Sequence, residues 1–342
     1  MTFDPDTLTR DFGDPIGEAR ACRQQAALFD FSFMARARVT GPFAARAIAT
    51  ITRRPVTDMA VGRIRYALRE AGDGHLVADL TVWRTAPDAY EVMSGRDSDI
   101  ADLVAAVPSD EASTLTSETA IFAVQGPRAL DVLSPVVSNA NFAVLRALGY
   151  YCCADIDIAG VTCTVGRLGY TGERGFEIIA PRTSSAGLWR NLVERTRPAG
   201  FIAADMLRIE AGFVLFANEF LVPATAAEAG MGVFTRSEFE MPRTAEAAHP
   251  ISLISFVAET PERPALWSPS QPVGRPSAIG ELVVTSACHS LLAGTTLGLG
   301  YIRRDTQPTC ELYEPTGYFS NIRHVSRPFY DPQKLVPRSA WP

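Results

Sequence analysis

Apolar residues fall at helical spacing near the start of the chain, where Ile16, Ala19, Cys22 and Ala26 share one face. This predicts a helix over 15–29 that leads into Leu28-Phe29-Asp30-Phe31-Ser32. Gly41-Pro42 then punctuates the chain ahead of a second predicted helix over 43–51. From 62 to 93 the hydrophobic period shortens to two, with breaks at Ala71-Gly72-Asp73-Gly74 and Ala86-Pro87-Asp88, which predicts a strand meander. Residues 94–107 return to helical spacing, 120–124 read as a strand, and Gly126-Pro127 opens a helix running through Leu133. "VTGPFAARAIATI" and "VQGPRALDVL" repeat the order strand, Gly-Pro, helix, an echo that predicts a duplicated α+β unit. "AADMLRIEAG" over 203–212 has helical spacing and stops at glycine. Proline-rich polar text over 243–271 marks a boundary, and the strand-and-turn segments "IGELVVTSAC", "LGLGYIRR" and "CELYEP" predict a separate small β unit.

Composition narrows the classes. The 342 residues suggest two or three domains, and 47% hydrophobic with 20% charged residues is an ordinary globular balance. No apolar run approaches the ~18–20 residues needed to cross a bilayer. Met1 to Asp14 lacks a basic-then-apolar signal, so a cytoplasmic location and no membrane partner are expected. The net charge of −6 and the lack of a dense Lys/Arg block argue against a nucleic-acid partner, with Arg303, Arg304, Arg323 and Arg327 read as solvated surface. Six cysteines without a C-x-x-C pair read as reduced thiols, and four dispersed histidines without H-E-x-x-H give no expected metal site.

Two acidic residues carry the chemistry. "RLGYTGERGFEII" spans 167–179, with Gly169, Gly172 and Gly175 at a spacing of three. The phosphate-cradling fingerprints G-x-G-x-x-G and G-x-x-x-x-G-K-[ST] are unmatched. A β-prone run closed by Pro181 follows instead, so the segment reads as a turn between strands whose glycines permit positive φ or close approach of a ligand. Glu177 then projects from an apolar strand, either at an exposed edge or facing a pocket. In "GHLVADLTVWR", 74–84, strand alternation puts Asp79 on a face with Val77, Thr81 and Trp83. Such an acid is paired, exposed on an edge, or kept for work. Two acids in distant apolar strands suggest one pocket with two roles. One carboxylate would accept a bidentate pair from an amidine-like edge, and the other would face an amine whose protonation changes.

"LFDFSFM" at 28–34 resembles the LFDVSHM segment of the glycine cleavage T-protein family, the tetrahydrofolate-dependent aminomethyltransferases. "VQGPRA", "GRLGYTGERGFEI", "ADMLRIEAGFVLFANEF" and "RPFYDP" resemble that family's further segments in the same order, over about 15–332. The resemblance implies an α+β fold of three domains. A discontinuous first α+β, ferredoxin-like unit would comprise 1–50 and 116–245, a second would span 51–115, and a C-terminal β-barrel would occupy 250–342. It implies tetrahydrofolate bound in a central hole, with Glu177 gripping the 2-amino and N3-H edge of the pterin. Asp79 matches the second aspartate of the family's DDL motif and would be the catalytic residue near N5 and N10. Tyr90, Val92 and Ser94 would line the pocket on the next strand, joined by Tyr66 and Tyr170. A small-molecule one-carbon donor and a carrier protein are the implied partners.

The chain also departs from the family. Ala78 replaces the first aspartate, Ser94 an asparagine, and Ala204 an arginine whose charge-assisted contact is worth ~1–3 kcal/mol. The family's N-terminal F-x-G-W-x-M-P-V-x-Y segment has no counterpart. These departures point to a one-carbon transferase, methyl or aminomethyl, whose donor differs from that of the housekeeping T-protein. One alternative is a folate-binding maintenance protein for iron-sulfur clusters and tRNA modification, but "LVPATAAEAGMG" lacks that group's cysteine motif. Another is a pocket that has exchanged folate for a different ligand.

Overall fold

The computed structural model describes residues 7–235, 250–304 and 311–341. The expected unit limits at 1, 245 and 342, together with Arg243, His249 and Cys310, lie outside the described residues. The chain folds as mixed α+β around three sheets.

The first sheet runs β11-β1-β7-β10-β9-β8. Its strands are β1 (Ala27–Asp30), β7 (Thr119–Gln125), β8 (Cys153–Ile158), β9 (Val161–Gly166), β10 (Gly175–Pro181) and β11 (Arg197–Ala199). Only β1 and β11 pair in parallel; the other neighbours are antiparallel. One face is covered by α4 (Ala129–Leu133), α5 (Asn139–Ala147) and α6 (Arg182–Val193), which bury Leu130, Leu145 and Leu188 against Phe122, Val165 and Phe176. Near β1 the other face is covered by α1 (Pro15–Gln24) and α7 (Phe201–Glu210). Helix α1 begins on Asp14, which caps the Gly17 amide, with proline at the first helical position. It ends at Gln24, earlier than its periodicity predicts, because Ala27–Asp30 pairs with β7. A continuous ladder outcompetes one more helical turn.

The second sheet is antiparallel, in the order β3-β4-β5-β2-β6, and comprises β2 (Ala35–Thr40), β3 (Ile64–Glu70), β4 (Leu76–Ala86), β5 (Ala89–Ser94) and β6 (Ala112–Thr114). The expected meander is present as β3, β4 and β5. The boundary expected after residue 50 is corrected here. Strand β2 pairs with β5 and β6, and α2 (Ala44–Ile48) packs with α3 (Asp97–Ala105) on this same sheet. The physical reason is the alternation of Ala35, Ala37 and Val39, which places three small or branched side chains inward against Val82 and Val92. The chain therefore crosses between sheets at 31–34.

The third sheet contains β12 (Ile251–Glu259), β13 (Val283–His289), β14 (Thr296–Arg303) and β15 (Ser320–Val325) in the order β13-β14-β12-β15. Among the described residues it is an open antiparallel sheet and not the closed barrel expected for 250–342, since β13 and β15 occupy opposite edges and do not pair. It packs on α7 through Met206 and Ile209 and on the second sheet through Leu68 and Leu76. Buried Arg208 of α7 reinforces this contact by bonding Asp205 at 2.6 Å, Glu219 of the short helix α8 (Phe216–Glu219) at 2.8 Å, and Ser286 of β13 at 2.7 Å.

The first and second sheets meet face to face. Ile64, Trp83 and Met93 from the second sheet pack with Ile121 and Ile179 from the first and with Leu168 from the turn between β9 and β10. This contact sets the distance between the strands that carry the two acids.

Candidate active site

Glu177 lies opposite Ala123 of β7 and Gly166 of β9, in the centre of the first sheet. The space over Gly166 is taken by the Trp83 ring, for a β-carbon there would lie 2.2 Å from it, so the second sheet packs directly beside Glu177. The side chain is half-buried, and burial pushes its carboxyl up to about 7. Among the described residues no donor or cation is bonded to it. An acid that solvent still reaches, yet which is strongly desolvated, sits in a concavity and not on an outer edge.

Asp79 has the same character on β4. It is half-buried and pushed up to about 6, chiefly by burial, with a hydrogen bond from Tyr66 opposing the shift. The Tyr66 hydroxyl donates to Asp79 Oδ2 at 3.1 Å. Tyr66 is itself fixed by the edge-on ring of Phe234 at 4.9 Å, and its backbone carbonyl accepts from Arg54 at 2.5 Å.

Tyr151 links the two acids. It is half-buried, with its phenol held well above the usual range first by burial, then by Tyr150, Glu177 and, more weakly, Asp79. Glu177 shares its strand face with Ile179 and Asp79 its face with Trp83, and since Ile179 and Trp83 pack together with Tyr151 against them, both acids face the region between the two sheets. Tyr170 completes the wall: its hydroxyl donates to the Val214 carbonyl at 2.6 Å, its ring stacks on Phe213 at 6.1 Å, and it too senses Asp79.

The structure thus brings together Asp79, Tyr66, Tyr170 and Glu177. It does not bring Tyr90, Val92 or Ser94 to them. Residues directly opposite in an antiparallel pair share a face. The pairs Arg84↔Tyr90, Val82↔Val92 and Leu80↔Ser94 therefore put these three on the helix-covered side. Tyr90 and Val92 are core residues beneath α2 and α3, and Ser94 is fully buried, donating to Asp99 at 2.6 Å. The neighbours on the cavity side are Met93 and Glu91, and Glu91 is already paired with Arg36 and Arg38. Ala204 is packed against α1 and the first sheet.

Of the two uses expected of the glycine turn, positive φ is found at Gly172. A β-carbon on Gly169 would lie 1.9 Å from Gln125 Oε1, and one on Gly172, at φ +80°, would lie 2.8 Å from the Ala211 β-carbon. Gln125 donates to the Leu168 carbonyl at 3.1 Å and accepts from Thr171. The close approach that needs glycine is protein on protein, and it anchors the loop leading to Glu177. Tyr150 and Tyr151 were missed from sequence; a tyrosine pair just ahead of a strand was the available signal.

Chemically, the cavity offers one unpartnered carboxylate, a second carboxylate held by a phenol, and tyrosine walls. A flat heterocycle with adjacent N–H donors fits this set, because it would satisfy Glu177 with a bidentate pair and stack on aromatic surface. Among the described residues no group of three His, Cys, Asp or Glu side chains is arranged to hold a metal ion.

Residues 9–238 match the family model described as the GCVT N-terminal domain. The aminomethyltransferase of Saccharopolyspora erythraea is 30% identical, over 92% of this chain and 89% of that protein. The aminomethyltransferase of Rubrobacter xylanophilus is 33% identical, over 85% of this chain and 79% of its own. The crystal structure of the glycine cleavage system aminomethyltransferase T from Bartonella henselae superposes with a TM-score of 0.72 at 20% identity, covering 98% of this chain and 93% of that one.

Proposed function

The chain belongs to the GCVT N-terminal domain family, and from that membership we propose that it is a tetrahydrofolate-dependent one-carbon transferase, moving a methyl or aminomethyl group. The observation that carries the reading is that the strand faces bearing Glu177 and Asp79, from two sheets, pack against each other beside Tyr151.

Glu177 accepts the paired N–H donors of the pterin ring and so fixes its orientation. Tetrahydrofolate supplies the nitrogen that receives the one-carbon unit. Tyr66 holds Asp79 with one oxygen engaged and the other available to the donor. At neutral pH Asp79 is largely ionised, and in a desolvated cavity its negative charge stabilises positive charge on the donor amine as the group departs. Tyr170 and Tyr151 supply walls that exclude water. The donor is a small molecule, differing from the housekeeping substrate, and a carrier protein is the accompanying partner. The third sheet belongs to a C-terminal unit of a three-part frame.

The test combines binding and turnover. Tetrahydrofolate at ~100 times its dissociation constant should stabilise the native protein by about 2.7 kcal/mol, read as a melting shift. Asp79→Asn should keep that shift and lose turnover in a screen of N-, O- and S-methyl and aminomethyl donors. Undiminished turnover by Asp79→Asn would remove the assigned role.

A further inference from the structure

Of the 32 basic residues, all but one are arginine; the exception is Lys334. It lies beyond the segment that matches the family model, in a turn where Lys334 N donates to the Asp331 carbonyl at 2.8 Å and Val336 N to the Asp331 carboxylate at 2.7 Å. Its backbone is left-handed, at φ +53°, a conformation that a non-glycine residue adopts at some cost. This turn lays the ammonium over the ring of Phe213, 4.6 Å from the centroid. Phe213 in turn stacks on Tyr170, the cavity wall that senses Asp79.

The ammonium is half-buried and no carboxylate pairs with it among the described residues, because Asp331 is committed to the turn. Arg327 and Arg338 face it, and burial together with these two cations pulls its pKa down to about 8, against a smaller opposing effect of Asp331. A strained turn, an aromatic platform next to the cavity and an unpaired cation make a preformed anion seat.

From this placement, and resting on the folate reading above, we infer that Lys334 is a positioning residue that binds a carboxylate of a ligand held in the cavity, at the rim formed by Phe213 and Tyr170. The carboxylate belongs either to the glutamate tail of the folate or to the one-carbon donor.

A single lysine makes the test direct. The full chain is acetylated with sulfosuccinimidyl acetate at pH 8, and labelling of Lys334 is followed by peptide mass spectrometry against the Met1 amine. Saturating tetrahydrofolate should slow labelling of Lys334 about tenfold. If tetrahydrofolate protects and tetrahydropteroate, which lacks glutamate, does not even with donor present, the tail is the source. If protection needs N,N-dimethylglycine added to tetrahydropteroate, the donor is the source. Lys334→Met should weaken binding of the protecting ligand about tenfold and Lys334→Arg should largely restore it. A tetrahydrofolate melting shift with unprotected Lys334 in every arm, or equal affinity of wild type and Lys334→Met, overturns this inference and leaves the folate reading standing. No melting shift in the wild type overturns both.

Discussion

A carboxylate that is desolvated without a cation beside it destabilises the protein that carries it, and Glu177 is such a group. Its folded pKa, about 7, lies above the usual 4.5, so the penalty is absent below pH 4.5, grows between 4.5 and 7, and is complete above 7. Glu177→Gln should therefore raise the melting temperature at pH 8, with a gain on the order of 2 kcal/mol after allowance for partial exposure. The same variant should lose tetrahydrofolate binding. For the wild type, ligand needs the ionised form, so affinity should fall about tenfold per pH unit below about 7, measurable by titration calorimetry across pH 5.5–8.5. On the proposed role, Asp79 should impose a separate acidic limb on turnover near pH 6, where protonation removes its charge. Both acids were legible in the sequence because a lone carboxylate in an apolar strand is conspicuous. Tyr151 was not, since nothing in its local pattern says that its ring borders two acids from distant strands.

Strand alternation explains why the structure sets Tyr90, Val92 and Ser94 apart from the two acids. The sequence marks β5 as a strand, but its apolar and small residues occupy both faces, so the pattern does not say which side meets the first sheet. Register decides it: Met93 opposes Thr81 on the cavity side, while Val92 opposes Val82 under the helices. Val92→Ala should consequently destabilise the fold by about 1–3 kcal/mol in urea unfolding, with no change in ligand affinity. The glycine turn yields a complementary expectation. Gly169→Ala drives a methyl group into the Gln125 amide, which already holds the loop backbone, and should lower stability while releasing the loop ahead of Glu177. A thermal melt and limited proteolysis at the loop would register both effects. Helix positions were read well from periodicity, for example α3 and α7, whereas their ends were set by competition with adjacent strands, as at Gln24.

Across the molecule, distant segments are joined by buried charge. Arg23 of α1 bonds Glu173 in the glycine turn at 3.0 Å, Glu210 at the end of α7 at 2.8 Å, and the Thr171 carbonyl, with its guanidinium 3.9 Å from the Tyr330 ring centroid. Arg23→Met would leave two buried carboxylates without their cation, a loss of about 3–5 kcal/mol, and should turn a single denaturant transition into separated steps. None of this network was visible in sequence, because even the hydrogen-bonded pair Arg23 and Glu210 is separated by 187 positions. The order of the three sheets was visible in part: the duplicated strand–helix text announced two α+β layers, but not the exchange of β2 into the second. Trp341 stacks on Phe176 of β10 at 5.2 Å, so the innermost strand of the first layer is sealed by a side chain from the far end of the chain. Whatever loosens the segment that carries Trp341 would therefore bare the middle of this sheet.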